Sequence, residues 1–320
     1  MQTKRHILRI SGTTARGGRP TLTGVGSVMA SIGNAAREAT CMRFRHASKI
    51  KGRRPEWLRE AADLNPVDIK DAGDHSKVVI VEAPSLGEAA AEIYKGRGLF
   101  DTFPPVQETA LDVLVQTVGV IKARNAASEW YDTDLLRRLE TFRAHFKRSD
   151  VSAVGLATLN GAGIETFSVA TIDFATIEAA ESLHRQSPQA RRVRISGKLD
   201  MLRDSDRAFD LLLDDGTRVR GVWEEDLGSI IGLLRKQVVV DALAVFRPSG
   251  SLLRIDAGAM EEAGSEDAFF SKLPRPAPAR VDLRAAHQTQ SVNTGLAAVY
   301  GQWPGDESED QLLAALGELD

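Results

Sequence analysis

The densest chemistry in this 320-residue chain lies in RFRHASKIKGRR, where Arg43, Arg45, Lys49, Lys51, Arg53 and Arg54 stand with no acid among them. Cations at that density meet phosphate oxygens, and the interleaved Phe44 and His46 supply rings of the kind on which unpaired bases stack. The alternative is a solvated basic loop that touches nothing. Four further cations, Arg194, Lys198, Arg218 and Arg220, join this set of candidate nucleic-acid contacts because they fall on strands whose inward positions are apolar.

Residue types that would carry a reaction are sparse. The histidines His6, His46, His75, His145, His184 and His287 show no pairing at ligand spacing, and with Cys41 as the one cysteine there is no zinc pattern, so no metal and no cofactor is expected. Ser85 in APSLG misses the Gly-x-Ser-x-Gly elbow because Ala83 replaces the first glycine. GTTARGGRPT lacks the Gly-Lys-Ser/Thr that ends a phosphate loop. Asp71, Asp74 and His75 read either as a hard-cation or acid–base cluster or as a solvated turn. No catalytic residue is assigned.

The elements that must position these groups fall into an α+β fold. His6–Ser11 and Lys77–Val81 read as strands, and Thr23–Phe44 as a helix with Val25, Val28, Met29, Ile32 and Ala36 on one stripe. Helices are expected over Leu86–Tyr94, about Leu111–Ile121, Asp134–Phe146 and Phe174–Gln186. Val151–Leu159 and Ile164–Ile172 flank Asn160-Gly161-Ala162-Gly163 as a hairpin. Residues 1–188 thus form a first α+β domain with a basic start, ending at Ser187-Pro188.

Residues 189–263 change pattern. Alternation at Val193–Leu199, Phe209–Leu213 and Val219–Gly221 is that of half-buried strands, a helical stretch follows over Glu224–Leu234, and Val238–Phe246 and Leu252–Ile255 read as two more strands. Asp214-Asp215-Gly216 serves as a three-residue turn, because only that register pairs Leu211 with Val219 and Asp210 with Arg220, keeping each face of one character. This order of elements, with Gly197 where the first strand can bend, resembles the OB-fold, a small five-stranded barrel. The resemblance implies binding of single-stranded nucleic acid or oligosaccharide, with Arg218 and Arg220 on the outer, ligand-bearing face. No aromatic platform stands on that face, which leaves a structural or protein-binding barrel open as well.

Residues 264–296, with SKLPRPAPAR, read as a proline-containing linker, and 297–320 as an acidic helical docking tail. In the tail Trp303, Asp306, Glu307, Leu312, Leu313 and Leu316 are candidate partner contacts, and its GxWPGDE segment resembles C-terminal segments of uncharacterised bacterial proteins. The formal net charge of -3 hides a charge asymmetry: residues 1–55 carry twelve Lys and Arg against Glu38 alone, while 256–320 carry twelve acids against four cations. No apolar run reaches the roughly 20 residues of a membrane span, so a cytoplasmic protein without membrane contact is expected. The expected role is a non-enzymatic nucleic-acid-binding or assembly factor; the alternatives are a regulatory protein-interaction module of an operon-encoded, antitoxin-like or defence-type system, and an enzyme of unrecognised site.

The strand register makes a test. Val219→Asp places a charge inside the barrel and should lower unfolding stability by about 4 kcal/mol or more, whereas Arg218→Glu on the outer face should change it by about 0.5 kcal/mol or less in urea titrations. Equal losses would show the register to be wrong.

Overall fold

The computed structural model describes residues 3–13, 20–50, 52, 54–72, 75–95, 103–159, 165–204, 207–223, 225 and 227–277. Lys51, Arg53, Asp74, the turn residues 160–163 and every tail candidate, Trp303, Asp306, Glu307, Leu312, Leu313 and Leu316, lie outside the described residues. The described residues up to Ala277 form one compact unit.

Its first part is a sheet of β1 (Thr3–Gly12), β2 (Asn65–Asp71), β3 (Ser76–Pro84), β4 (Val151–Leu159) and β5 (Glu165–Asp173), in the order β2-β3-β1-β4-β5. All neighbouring pairs are antiparallel. Alternation decides the faces: Leu8 and Ile10 of β1 sit opposite Val79, Leu156 and Val154, and all are buried, while Arg5 and Arg9 point the other way and are exposed.

The buried face is covered by α1 (Leu22–Arg45), α5 (Ala110–Lys122), α6 (Thr133–Glu140), α7 (Phe142–Ser149) and α8 (Phe174–Gln186), with α2 (Glu56–Ala61), α3 (Leu86–Ala89) and α4 (Ala91–Lys95) alongside. Four of the helices begin on an oxygen cap that satisfies otherwise orphaned N–H groups: Thr21 for α1, Thr109 for α5, Asp132 for α6 and Asp173 for α8. His46 ends α1 with φ of 55°, in the left-handed conformation that turns the chain out of the helix.

The expected single helix over Asp134–Phe146 is two. Thr141 Oγ1 donates back to the Arg138 carbonyl at 2.6 Å, and its N–H is shared between Arg137 and Arg138, which tightens the last turn and redirects the axis. The strand β2 was not expected, because this edge strand carries Pro66 and a run of charge in place of apolar alternation.

The second part is a closed five-stranded barrel of β6 (Arg191–Arg203), β7 (Ala208–Leu212), β8 (Arg218–Trp223), β9 (Gln237–Phe246) and β10 (Leu252–Glu262), in the order β10-β8-β7-β6-β9. β9 and β10 pair to close it, and β8 runs parallel to β10, a mixed arrangement consistent with an OB-like barrel. Leu211 pairs with Val219 and Asp210 with Arg220, and Gly216 takes φ of 81°, as the three-residue turn requires.

The interior holds Ile195, Phe209, Val219, Trp223, Val240 and Ile255. The Phe209 ring crosses it over Gly221, where a Cβ would lie 2.0 Å from Phe209 Cζ, so only glycine fits. The helix expected over Glu224–Leu234 is replaced by two 3₁₀ turns, Leu227–Ser229 and Ile231–Leu233. Gly228 and Gly232 weaken a helix here, and among the described residues of this stretch only Ile230 is buried, in the barrel end. The last strand runs beyond Ile255 to Glu262, continuing its ladder with β9 as far as Val238.

The two parts share a core. Val245 and Leu253, on the outer side of the β9–β10 hairpin, belong to the cluster of the helical layer. Beside them Arg254 enters a dry site, 6% exposed, where its Nη1 donates to the His46 carbonyl at 2.9 Å and to Asp132 Oδ2 at 3.2 Å, while its Nε donates to Asp256 at 2.7 Å. Asp132 also accepts from the Ser48 N–H and hydroxyl and from the Leu135 N–H. Burial alone would raise its pKa, but Arg254 and these donors outweigh it and hold the carboxyl below its ordinary range.

Removing one partner strands the other charge in the interior. Arg254→Met should cost about 3–5 kcal/mol in urea unfolding. Arg254→Met with Asp132→Asn should recover part of that loss, because the amide oxygen still caps α6 without a charge. Equal midpoints for the single and double variants would show that the two groups are not coupled.

Candidate functional site

Beside this seam runs a cleft of about 1230 Å³. One wall comes from α1 (Arg37 and Arg45), the following loop (Ile50, Gly52 and Arg54) and α2 (Trp57, Arg59 and Glu60); the other comes from the β6–β7 turn of the barrel, with Asp204 and Arg207. Pro55 starts α2 where its missing N–H costs nothing, and this sets Trp57 against Phe44, ring centroids 5.1 Å apart. A smaller pocket of about 160 Å³ adjoins it, sharing Arg37, Ile50 and Arg54 and adding Glu38, Lys49 and Arg138.

Charge is crowded at the junction. Arg37 is held below its ordinary pKa by burial first and then by the neighbouring Arg54, with Glu38 opposing and Arg138 adding to the crowding. Its Nη2 donates to Asn34 Oδ1 at 2.6 Å. Glu56 pairs with Arg59 at 2.8 Å, an exposed contact worth little. Arg37, Arg45, Arg54, Arg59 and Arg207 thus line the concave space beside the Trp57 indole, together with the carboxylates Glu56, Glu60, Asp63 and Asp204.

Of the ten sequence candidates, Lys51 and Arg53 lie outside the described residues, and the other eight are distributed over three places. Arg45, Lys49 and Arg54 line the cleft or its side pocket; Arg45 is 3% exposed, and Lys49 pairs with Asp134 at 2.7 Å. Arg43 and Arg220 lie in the seam: Arg43 sits 4.1 Å over the Trp130 ring, and Arg220 Nη1 lies 2.7 Å from His46 Nε2 and Arg220 Nε 3.9 Å from Asp210. Arg194, Lys198 and Arg218 are exposed on the barrel, where Arg194 pairs with Glu261 and Asp267 and Arg218 with Asp200. Arg37, Trp57, Arg59 and Arg207 were not among them. Trp57 and Arg59 follow the basic run directly, whereas Arg207 reaches the cleft only through the fold.

The seam engages part of the side that an OB-like fold offers to ligand, through Arg220 of β8 and the β9–β10 turn. Arg203 lies 5.5 Å over the Phe103 ring, Arg247 pairs with Glu129 at 2.6 Å, and the Ser249 N–H donates to the Ala126 carbonyl. His46, in the middle, is kept neutral by burial first, then by Arg220, Arg43, Arg203 and Arg254 around it. No family model, curated protein or solved structure matches this chain.

Of Asp71, Asp74 and His75, read as either an acid–base cluster or a solvated turn, Asp71 ends β2 in an ion pair with Lys77 at 2.9 Å, and Asp74 lies outside the described residues. A different acid–base group lies in the core. His6 Nε2 is 3.0 Å from Thr109 Oγ1 and its Nδ1 is 3.2 Å from Thr158 Oγ1, while Thr158 donates to Asp112 Oδ1 at 2.6 Å. Because that hydroxyl proton goes to Asp112, Thr158 accepts from His6 Nδ1–H, and the Thr109 hydroxyl, also 3.2 Å from Asp112 Oδ2, shares its one proton between that oxygen and His6 Nε2. Every atom has a local partner, and the group ties β1 and β4 to the start of α5.

Burial lowers the His6 pKa from 6.5 to about 4, against the attraction of Asp112. The unfolded chain therefore binds a proton that the folded chain refuses between those values, so stability falls as pH drops through that window and is unaffected above it. At pH 5 the His6 contribution is a loss of about 2 kcal/mol, and neutral His46 adds loss of the same sign. His6→Gln should flatten the thermal stability profile between pH 7.5 and 5 by that amount; an unchanged slope would show His6 to be charged or solvated in the folded chain.

Proposed function

We propose that the chain is a non-enzymatic nucleic-acid-binding or assembly factor that holds a single strand in the cleft between α1, α2 and the β6–β7 turn. The observation that carries this reading is the convergence of Arg37, Arg45, Arg54 and Arg59 from one wall with Arg207 from the other, around about 1230 Å³ and beside Trp57. Guanidinium groups meet phosphates, and the indole offers a ring to an unstacked base. A duplex presents no free base faces to such a ring. In this reading the barrel serves as the second wall of the cleft and as its brace, and its own outer face is engaged in the seam. The His6 group, closed on two threonines and Asp112, supports binding in preference to catalysis.

Affinity for a labelled single-stranded oligonucleotide, read by fluorescence anisotropy across salt concentrations, tests it. Each phosphate contact contributes about -0.7 to the log–log slope, so Arg54→Glu with Arg59→Glu should flatten the slope by about 1.4. Arg194→Glu with Arg218→Glu, on the barrel surface away from the cleft lining, should leave it unchanged. No binding at low salt by the parent protein would end this reading.

A further inference from the structure

The side pocket holds a group that phosphates do not satisfy. Glu38, on α1, is 7% exposed, and its Oε1 accepts from both Nε and Nη2 of Arg138, at 3.1 and 2.7 Å. Its Oε2 is buried and has no hydrogen-bond partner among the described residues. A buried carboxylate oxygen without a donor is costly, which favours any ligand that brings one. The same pocket of about 160 Å³ is lined by Arg37, Lys49 and Arg54 as well as Arg138, so an anion is drawn to it beside the carboxylate. The ligand that fits both demands carries an anionic oxygen and, next to it, a hydroxyl proton.

A phosphodiester alone brings only acceptors, and a deoxyribose within a strand has no hydroxyl to donate. A ribose within a strand has one, the 2′-hydroxyl, adjacent to the phosphate on the neighbouring carbon. Resting on the cleft as the nucleic-acid site, we infer that the strand is RNA, and that Glu38 Oε2 accepts the 2′-hydroxyl proton while Arg37 and Arg54 hold the adjoining phosphate. Glu38 is then the residue that separates RNA from DNA, and the arginines are indifferent to the sugar.

The test varies the ligand as well as the protein, so it does not depend on one variant folding. The unmodified protein is titrated at low salt with one sequence as RNA, as DNA and as RNA with 2′-fluoro sugars, which removes the donor. RNA should bind about tenfold or more tighter than DNA, the worth of one hydrogen bond to a charged acceptor, and 2′-fluoro RNA should fall to the DNA level. Glu38→Met, with its fold checked by thermal unfolding, should bring RNA and DNA to the same affinity; an RNA preference that survives in this variant overturns the assignment. If DNA and 2′-fluoro RNA bind as tightly as RNA, the assignment of Glu38 is overturned while the cleft stands as a nucleic-acid site. If none of the three binds, both fall together.

Discussion

Asp132 and Arg254 place the barrel, and most of what is particular to this molecule depends on how their charges are satisfied out of water. A lone ion in that site would be prohibitive, and a bare pair would gain little over two apolar side chains. The network is held by neighbours that have duties of their own. Asp132 begins α6, binds Ser48 just beyond α1, and meets a cation from a strand far along the chain. Arg254 is divided between Asp132, Asp256 and the carbonyl of His46, the residue that ends α1. The end of one helix, the start of another and a barrel strand are therefore aligned by the same few atoms. The apolar contact of Val245 and Leu253 supplies burial at the seam, and the charged network supplies its orientation.

That orientation turns the open side of the barrel inward. Guanidinium groups that would await phosphates on a solitary barrel are engaged in the seam, Arg203 over Phe103 and Arg220 against His46. The available cationic surface is displaced to the margin, where the β6–β7 turn overhangs the loop after α1. There the carboxylates of Glu38, Glu56, Glu60, Asp63 and Asp204 temper the positive charge, so the site has chemical detail as well as attraction.

The barrel was legible because each of its hairpin faces is of one character: Leu211 with Val219 and Asp210 with Arg220 exclude the alternative register. Long apolar stripes such as those of α1 and α5 were legible for the same reason. The turn at Thr141 was not, because a single hydroxyl bonding back to a carbonyl leaves the hydrophobic spacing of both helices intact. The edge strand β2 was not, since its pairing comes from the backbone while its side chains are largely exposed. For the site, local sequence pointed to the basic run but not to which of its members would be enclosed. Arg45 and Arg43 differ by two positions, yet one lines the cleft and the other lies over Trp130, a distinction made by residues remote in sequence.

The distance along the chain between the two ends of the seam has a consequence for synthesis. Asp132 leaves the ribosome 122 residues before Arg254, and at about 5–20 residues per second this interval lasts roughly 6–24 seconds. Throughout it the carboxylate keeps its helix cap and its serine, but lacks the cation that makes its burial tolerable. The nascent first layer must therefore stay hydrated around Asp132, with Ala126 and Glu129 still waiting for the β9–β10 turn. Its final drying is an event of late translation, timed by the arrival of one arginine.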